Sequence, residues 1–336
     1  MSDELERIRG KLQAFIEDCH PAAEGLEIQG LRRVTGGLSR ENWPFDARWS
    51  ESGRPVQREL IMRRDPVGSV LETDRRIEFG VLRALGGSRI PCPRVDWLDA
   101  DGRFMDRPSI VMQRFGGTND HFVLEGGISQ LPLDARLSLA RRYCETLAEL
   151  HLFDWRAAGV GDLLPDPGRD AARAAIDEWE ASLWRQTDDP RPELVEVLCW
   201  LRDRAPESQA TVLVHGDFKP GNSLLDGAEL QVMLDWETVH LGDPIEDIGW
   251  VTNPLRRREH RIPGHWEPED LIAHYRDRTG FEVDPAEVHF WNVFACLKLN
   301  TILLTGVRSF REGRADRPWS DDGSLARLMF QMIGAA

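Results

Sequence analysis

The 336 residues carry 42 Lys and Arg against 57 Asp and Glu, a net charge of −15, with 41% hydrophobic and 29% charged residues. That length suffices for two sizeable cores, and the composition is that of a globular chain, neither disordered nor fibrous. The acidic balance weighs against nucleic acid and anionic membranes as partners; no apolar run approaches the length of a membrane span, and the start MSDELERIRGKL is unlike a signal peptide.

Leu5, Ile8, Leu12, Phe15 and Ile16 recur at helical spacing and predict an amphipathic helix over 3–18. Strands are expected at 26–33, 42–49 and 59–64, with Thr35-Gly36-Gly37-Leu38-Ser39 after the first and Glu51-Ser52-Gly53-Arg54 as the second turn. A glycine pair between strands lets backbone N–H groups approach an anion, although the same letters serve an ordinary hairpin turn. On the third strand, alternation puts Ile61 and Arg63 on one face and Met62 and Arg64 on the other. A helix over 71–85 buries Ile77, Val81, Leu82 and Leu85. Strands 93–98 and 109–115 follow, the second running through Gln113 and Arg114 to Gly116-Gly117.

From 132 onward the pattern is helical. Leu137, Ala140, Tyr143, Cys144, Leu147, Leu150 and His151 form one stripe, on which His151 reads as a core histidine. Helices are expected at 171–184, 193–204, 268–278, 285–308 and 323–333, with Trp179, Trp184 and Trp200 in the first two. Between them lies the densest acidic pattern of the chain. Two short apolar runs, Leu213-Val214 and Val232-Met233-Leu234, deliver His215-Gly216-Asp217 and Asp235-Trp236-Glu237, and Asp243-Pro244 and Asp247 follow.

Asn222 stands five residues after Asp217, the Asp-to-Asn step of the protein-kinase catalytic loop. Phosphoryl transfer needs a carboxylate to orient the acceptor and take its proton, and hard oxygen ligands for Mg2+. In that chemistry Asp217 is the base, and Asn222 and Asp235 hold the metal. Two solvated aspartates on a strand–loop–strand are the bland alternative.

His215-Gly216-Asp217-Phe218-Lys219-Pro220-Gly221-Asn222, then Leu234-Asp235-Trp236-Glu237, then Gly242-Asp243-Pro244 through Trp250 together resemble the aminoglycoside phosphotransferase and choline kinase superfamily. The resemblance implies an α+β, bilobal protein-kinase-like fold: an antiparallel-sheet N-terminal nucleotide-binding lobe over 1–112, a hinge over 113–120, and a mostly helical catalytic and substrate-binding lobe over 121–336. It implies that Gly36, Gly37 and Ser39 line the nucleotide phosphates and that Gln113 and Arg114 lie near the base. Protein kinases carry a phosphate-binding lysine on the third strand. None stands here, and Arg63 is expected in its place, with Arg64 as the fallback, since a guanidinium also binds phosphate. Glu78 is then its helix partner. The Leu-Ile-Met-Arg-Arg strand makes the chain similar to the kinase-like domain fused to some acyl-CoA dehydrogenases.

The family's pattern also places Lys219 on the transferred phosphate, and Glu237 either as a second metal ligand or beside metal-bound water. His215 and Asp247 are expected to brace the loop. The implied activity is a Mg2+-dependent transfer of the γ-phosphate of ATP, or GTP, to a hydroxyl of a small molecule. A nucleotide-binding pseudokinase or scaffold and a metal-dependent hydrolase built on His215, Asp217 and Asp235 are the competing readings. Five scattered cysteines without CxxC spacing (Cys19, Cys92, Cys144, Cys199, Cys296) suit a reducing cytoplasm.

Overall fold

The computed structural model describes residues 2–34, 40–66, 74–187, 189–314 and 318–334. The architecture is α+β, in two compact units: 1–87 with 92–116, and 88–91 with 117–336.

Among the described residues, the first unit is one five-stranded antiparallel sheet with two helices. Its strands are β1 (Glu24–Gln29), β2 (Glu41–Glu51), β3 (Arg54–Arg64), β4 (Val95–Asp99) and β5 (Ser109–Gln113), in the order β1-β2-β3-β5-β4. β2 and β3 are joined by Ser52 and Gly53, both at positive φ (52° and 76°). That backbone fits the right-handed twist of a tight hairpin. Trp43, Phe45, Ala47 and Trp49 of β2 alternate into the core with Leu60 and Met62 of β3. Against them lies α1 (Ser2–Cys19), whose Ile8, Leu12, Phe15 and Ile16 are fully buried. This is the helical stripe read from the sequence. α2 (Arg75–Leu85) begins at Asp74, whose side chain accepts the Arg76 N–H, and it buries Val81, Leu82 and Leu85. The capped start lies four residues beyond the expected one.

The second unit is mostly helical: α3 (Leu133–His151), α4 (Ala171–Gln186), α5 (Pro192–Arg204), α6 (Pro244–Thr252), α7 (Arg257–His260), α8 (Pro268–Thr279), α9 (Pro285–Arg311) and α10 (Ser324–Gly334). Two small antiparallel pairs sit among them. β6 (Val212–Val214) pairs with β9 (His240–Gly242), and β7 (Ser223–Asp226) pairs with β8 (Glu229–Met233). β7 and β9 are too short to show a period, and the sequence reading passed over both. α9 is the spine of this unit. Phe290, Trp291, Val293, Phe294 and Leu297 are buried along it, each worth roughly 1.5–3 kcal/mol of transfer free energy. α6 presses closely on α9 because Gly249 has no side chain; a Cβ there would stand 2.3 Å from the Trp291 Cβ.

α9 corrects one expectation. By length and composition it is apolar enough to cross a membrane, although 72% of its apolar window is buried inside the unit. Asn292, Lys298 and Asn300 interrupt its apolar runs without lowering its mean hydropathy enough to exclude it.

Candidate active site

β6 leads into His215-Gly216-Asp217, and its pairing with β9 fixes where that loop begins. Gly216 has φ 77°, a left-handed conformation suited to glycine. A Cβ there would meet Thr238 O at 2.9 Å and Lys298 Nζ at 3.0 Å. The loop then turns back at Pro220–Asn222, a single 3-10 turn.

The Asp217 carboxylate, 26% exposed, gathers two neighbours. Lys219 Nζ donates to Oδ1 at 2.9 Å and Oδ2 at 2.7 Å. Asn222 Nδ2 donates to Asp217 Oδ2 at 2.8 Å and to the Asp217 carbonyl at 3.0 Å. Both amide hydrogens of Asn222 are thereby committed to Asp217, so its Oδ1 is the oxygen left for other partners. Around the turn, Asn119 Nδ2 donates to Ser223 O at 3.1 Å and also to Gly221 O. Tyr143 OH meets Ser223 Oγ at 2.6 Å. Because that hydroxyl itself donates to Pro220 O at 2.8 Å, the tyrosine is the donor.

The second acidic motif is tied to the first by the backbone. Leu234 N–H donates to Asn222 O at 2.7 Å, and Asp235 follows at φ 57°, ψ 57°. A left-handed aspartate is uncommon, and such backbone collects at functional sites. Trp236 is buried, with its Nε1–H on Met233 O at 2.9 Å, and Thr238 Oγ1 donates to His215 O at 2.9 Å. Glu237 is half-buried beside them.

Asp247 on α6 braces the loop from below. Its Oδ2 accepts the His215 N–H at 2.8 Å, and its Oδ1 accepts the Gly216 N–H at 2.9 Å. His151 Nε2 joins Oδ2 at 3.2 Å, and the other ring nitrogen meets Tyr275 OH at 2.6 Å. Burial alone would raise the Asp247 pKa, but the His151 side chain and the His215 backbone N–H outweigh it and hold it at about 2. Burial lowers the His215 pKa despite nearby Asp247, Asp217 and Asp235. Neutral His215 donates Nε2–H to Leu234 O at 3.1 Å and accepts the Asp217 N–H on Nδ1 at 3.3 Å. Both ring nitrogens are engaged within the loop, which removes His215 as a metal ligand and with it the main support of the hydrolase reading. Among the described residues, no three His, Cys, Asp or Glu form a metal-binding group.

In the first unit, Arg63 Nη1 lies 3.7 Å from Glu78 Oε1. Two arginines approach Glu78 Oε2 more closely: Arg40 Nη1 at 2.8 Å and Arg75 Nη1 at 2.9 Å. Asp65 shares Arg75, at 2.8 Å from Nε. Arg64 faces the other way, onto Glu41 at 2.6 Å. Arg114 is bound by Asp46 Oδ1 at 2.7 Å and Phe45 O at 3.2 Å, and the Gln113 N–H donates to Arg94 O at 2.8 Å. Gly36, Gly37 and Ser39 lie outside the described residues.

The sequence reading passed over Arg40 and Arg75, the His151–Asp247–Tyr275 contacts, and Lys298, whose Nζ donates to Gly216 O at 2.7 Å. Two left a signal: Arg75 stands three residues before Glu78 on a helix, and Lys298 is one of three lysines, with Lys11 and Lys219, in a long apolar helix.

Residues 31–291 match the sequence profile of the phosphotransferase enzyme family, APH. The chain belongs to that family. Over 207 residues, 59% of this chain, it is 26% identical to acyl-CoA dehydrogenase family member 10 of Mus musculus, and it spans 18% of that relative's length. A Ralstonia eutropha JMP134 protein provisionally assigned as an aminoglycoside phosphotransferase has the same fold, with TM-score 0.71 at 21% identity over 97% of this chain and 98% of that one. A thermostable mutant of aminoglycoside phosphotransferase APH(4)-Ia, solved in ternary complex with AMP-PNP and hygromycin B, gives TM-score 0.55 at 14% identity over 97% of both chains. These likenesses establish the kinase-like phosphotransferase fold.

Proposed function

We propose that this family member is a small-molecule kinase, moving the γ-phosphoryl group of ATP, or GTP, to a hydroxyl of a small acceptor. The observation that carries the reading is the Asp217 carboxylate, part-exposed and oriented by Asn222 on a loop whose N–H groups rest on buried Asp247. Asp217 accepts the hydroxyl proton as the acceptor oxygen bonds to Pγ and the bond from Pγ to the β,γ-bridging oxygen breaks, leaving the diphosphate. Lys219 brings a positive charge to the same carboxylate, beside which charge on the transferred group would develop.

Asn222 Oδ1 and the carboxylates of Asp235 and Glu237 are hard oxygen donors that suit Mg2+, and they would hold it. The bound ion would neutralise the nucleotide phosphates. Arg63, supported by Glu78, and the backbone at Gly36, Gly37 and Ser39 complete the proposed phosphate contacts. Gln113 and Arg114 remain the segment proposed for the base. The five cysteines are all free, and Cys144 and Cys296 are buried, which supports a reducing, cytoplasmic setting.

The test is Asp217→Asn. Turnover falls about 10²- to 10⁴-fold while the Mg2+-dependent rise in melting temperature with ATP or GTP persists. Near-normal turnover removes Asp217 as base. Wild-type protein that shows no shift with either nucleotide returns the chain to the scaffold reading.

A further inference from the structure

α9 is apolar along most of its length, yet Lys298 is 2% exposed within it. Its ammonium is enclosed by four groups of the second unit. The Trp179 ring of α4 lies 5.1 Å from Nζ and the Trp250 ring of α6 lies 5.3 Å away. Glu246 Oε1 of α6 is at 3.8 Å, and the Gly216 carbonyl accepts at 2.7 Å. Two indole faces, a carboxylate and a carbonyl are the donor-free surroundings that bind an ammonium group. Glu246 is otherwise used on its far oxygen, where Oε2 meets His240 Nε2 at 3.0 Å. Trp179 is the half-buried wall, whereas Trp250 is 3% exposed.

We infer that Lys298 is the built-in occupant of an ammonium cage on the catalytic loop, so that acceptors anchored by an ammonium group are excluded from this place. The consequence for acceptor choice rests on the kinase reading above; the cage itself does not. Gly216 is held through both of its polar groups, its N–H by the Asp247 carboxylate and its C=O by Lys298. Buried charges of opposite sign thus fix the peptide that leads into Asp217. A free cation could satisfy the rings and Glu246, but only one bearing N–H could also hold Gly216.

Lys298→Ala removes the equivalent of n-propylammonium. Its melting temperature is therefore expected to rise with the logarithm of added n-propylammonium chloride, measured against equal NaCl. Tetramethylammonium, which has no N–H, gives a smaller rise, neutral n-propanol none, and the wild type responds to none of them. Choline likewise leaves the wild type unshifted. If Lys298→Ala does not fold, Trp179→Leu in the otherwise native chain serves instead: removing the half-buried wall exposes Lys298 to an amine-acylating reagent that leaves it unmodified in wild type, as read by peptide mass. Equal responses of Lys298→Ala to n-propylammonium and n-propanol overturn the proposal, as does labelling of Lys298 in the wild type. A missing Mg2+–nucleotide shift in the same samples would remove the kinase reading and leave the cage result standing.

Discussion

Glu78 in the first unit and Asp247 in the second are both carboxylates with almost no exposure, yet their surroundings satisfy them in different ways. Glu78 is met by side chains: the guanidiniums of Arg40, Arg75 and Arg63. Asp247 is met chiefly by the backbone: the N–H groups of His215 and Gly216, with the His151 ring as third partner. Guanidiniums stand on long stems and can re-pair, for instance with Asp65, which already shares Arg75. Backbone donors at the end of a paired strand cannot move without moving the strand. The first arrangement is charge balanced by charge; the second is a template for loop shape.

Matched carboxylate-to-amide changes separate these two designs. Asp247→Asn keeps the size but turns one oxygen into a donor aimed at a fixed N–H or at His151, and at least one buried donor loses its partner. We expect a loss of roughly 3–5 kcal/mol in urea unfolding, the range for breaking a buried charged contact. Glu78→Gln leaves an oxygen for one guanidinium and lets the others turn to Asp65, so about 2 kcal/mol is expected. The reverse order would mean that net charge, and not the rigidity of the donors, governs the two sites. Turnover sharpens the contrast. Under the proposed kinase activity, Asp247→Asn should reduce kcat through loop shape with nucleotide affinity kept, whereas Glu78→Gln should act first on nucleotide affinity, read as KM for the nucleotide.

The same contrast explains what could be read from the sequence. The Asp217-to-Asn222 step and the Asp235-Trp236-Glu237 run are local, so their spacing was visible, and so was the amphipathic stripe of α1. Asp247 as a brace was legible because it follows the loop closely and belongs to the same motif. Arg40 reaches Glu78 from 38 residues away, whereas Arg75 stands one helix turn before it. Tyr275 reaches His151 across 124 residues. No spacing rule encodes the Arg40–Glu78 and His151–Tyr275 pairs, because tertiary packing alone creates them; Arg75–Glu78 follows the i,i+3 spacing of a helix. Arg63 and Arg64 are the intermediate case. Strand alternation assigned them to opposite faces, and the structure sends them to Glu78 and Glu41 respectively. Which face carried Glu78 required the helix to be in place. The membrane-length reading of α9 failed for a different reason. It asked for unbroken apolar runs, whereas that helix reaches its hydropathy with polar residues such as Lys298 interspersed.

The smallest expected effect isolates the His151 share of the Asp247 template. The Asp247 carboxyl is held at about 2 against an ordinary 3.8, so the folded state favours its ionised form. Its contribution, about 2 kcal/mol, is fully present above pH ~4 and is lost as pH falls from about 4 towards 2. Burial opposes this, and the His151 ring is the strongest of the groups that outweigh it. His151→Gln keeps both backbone donors and removes the imidazole, the strongest group lowering the carboxyl, so the folded pKa moves back towards the ordinary value. Urea unfolding at pH 5, 4, 3 and 2.5 should then show an acid-side loss about 1 kcal/mol smaller than in wild type. Of the other carboxylates, Asp243 also feels His151; those remote from His151 are common to both proteins and cancel in the difference. An acid-side loss equal to that of wild type would assign the whole effect to the His215 and Gly216 N–H groups. His151 would then be a spacer that holds Tyr275 in place, and the loop template would be made of backbone alone.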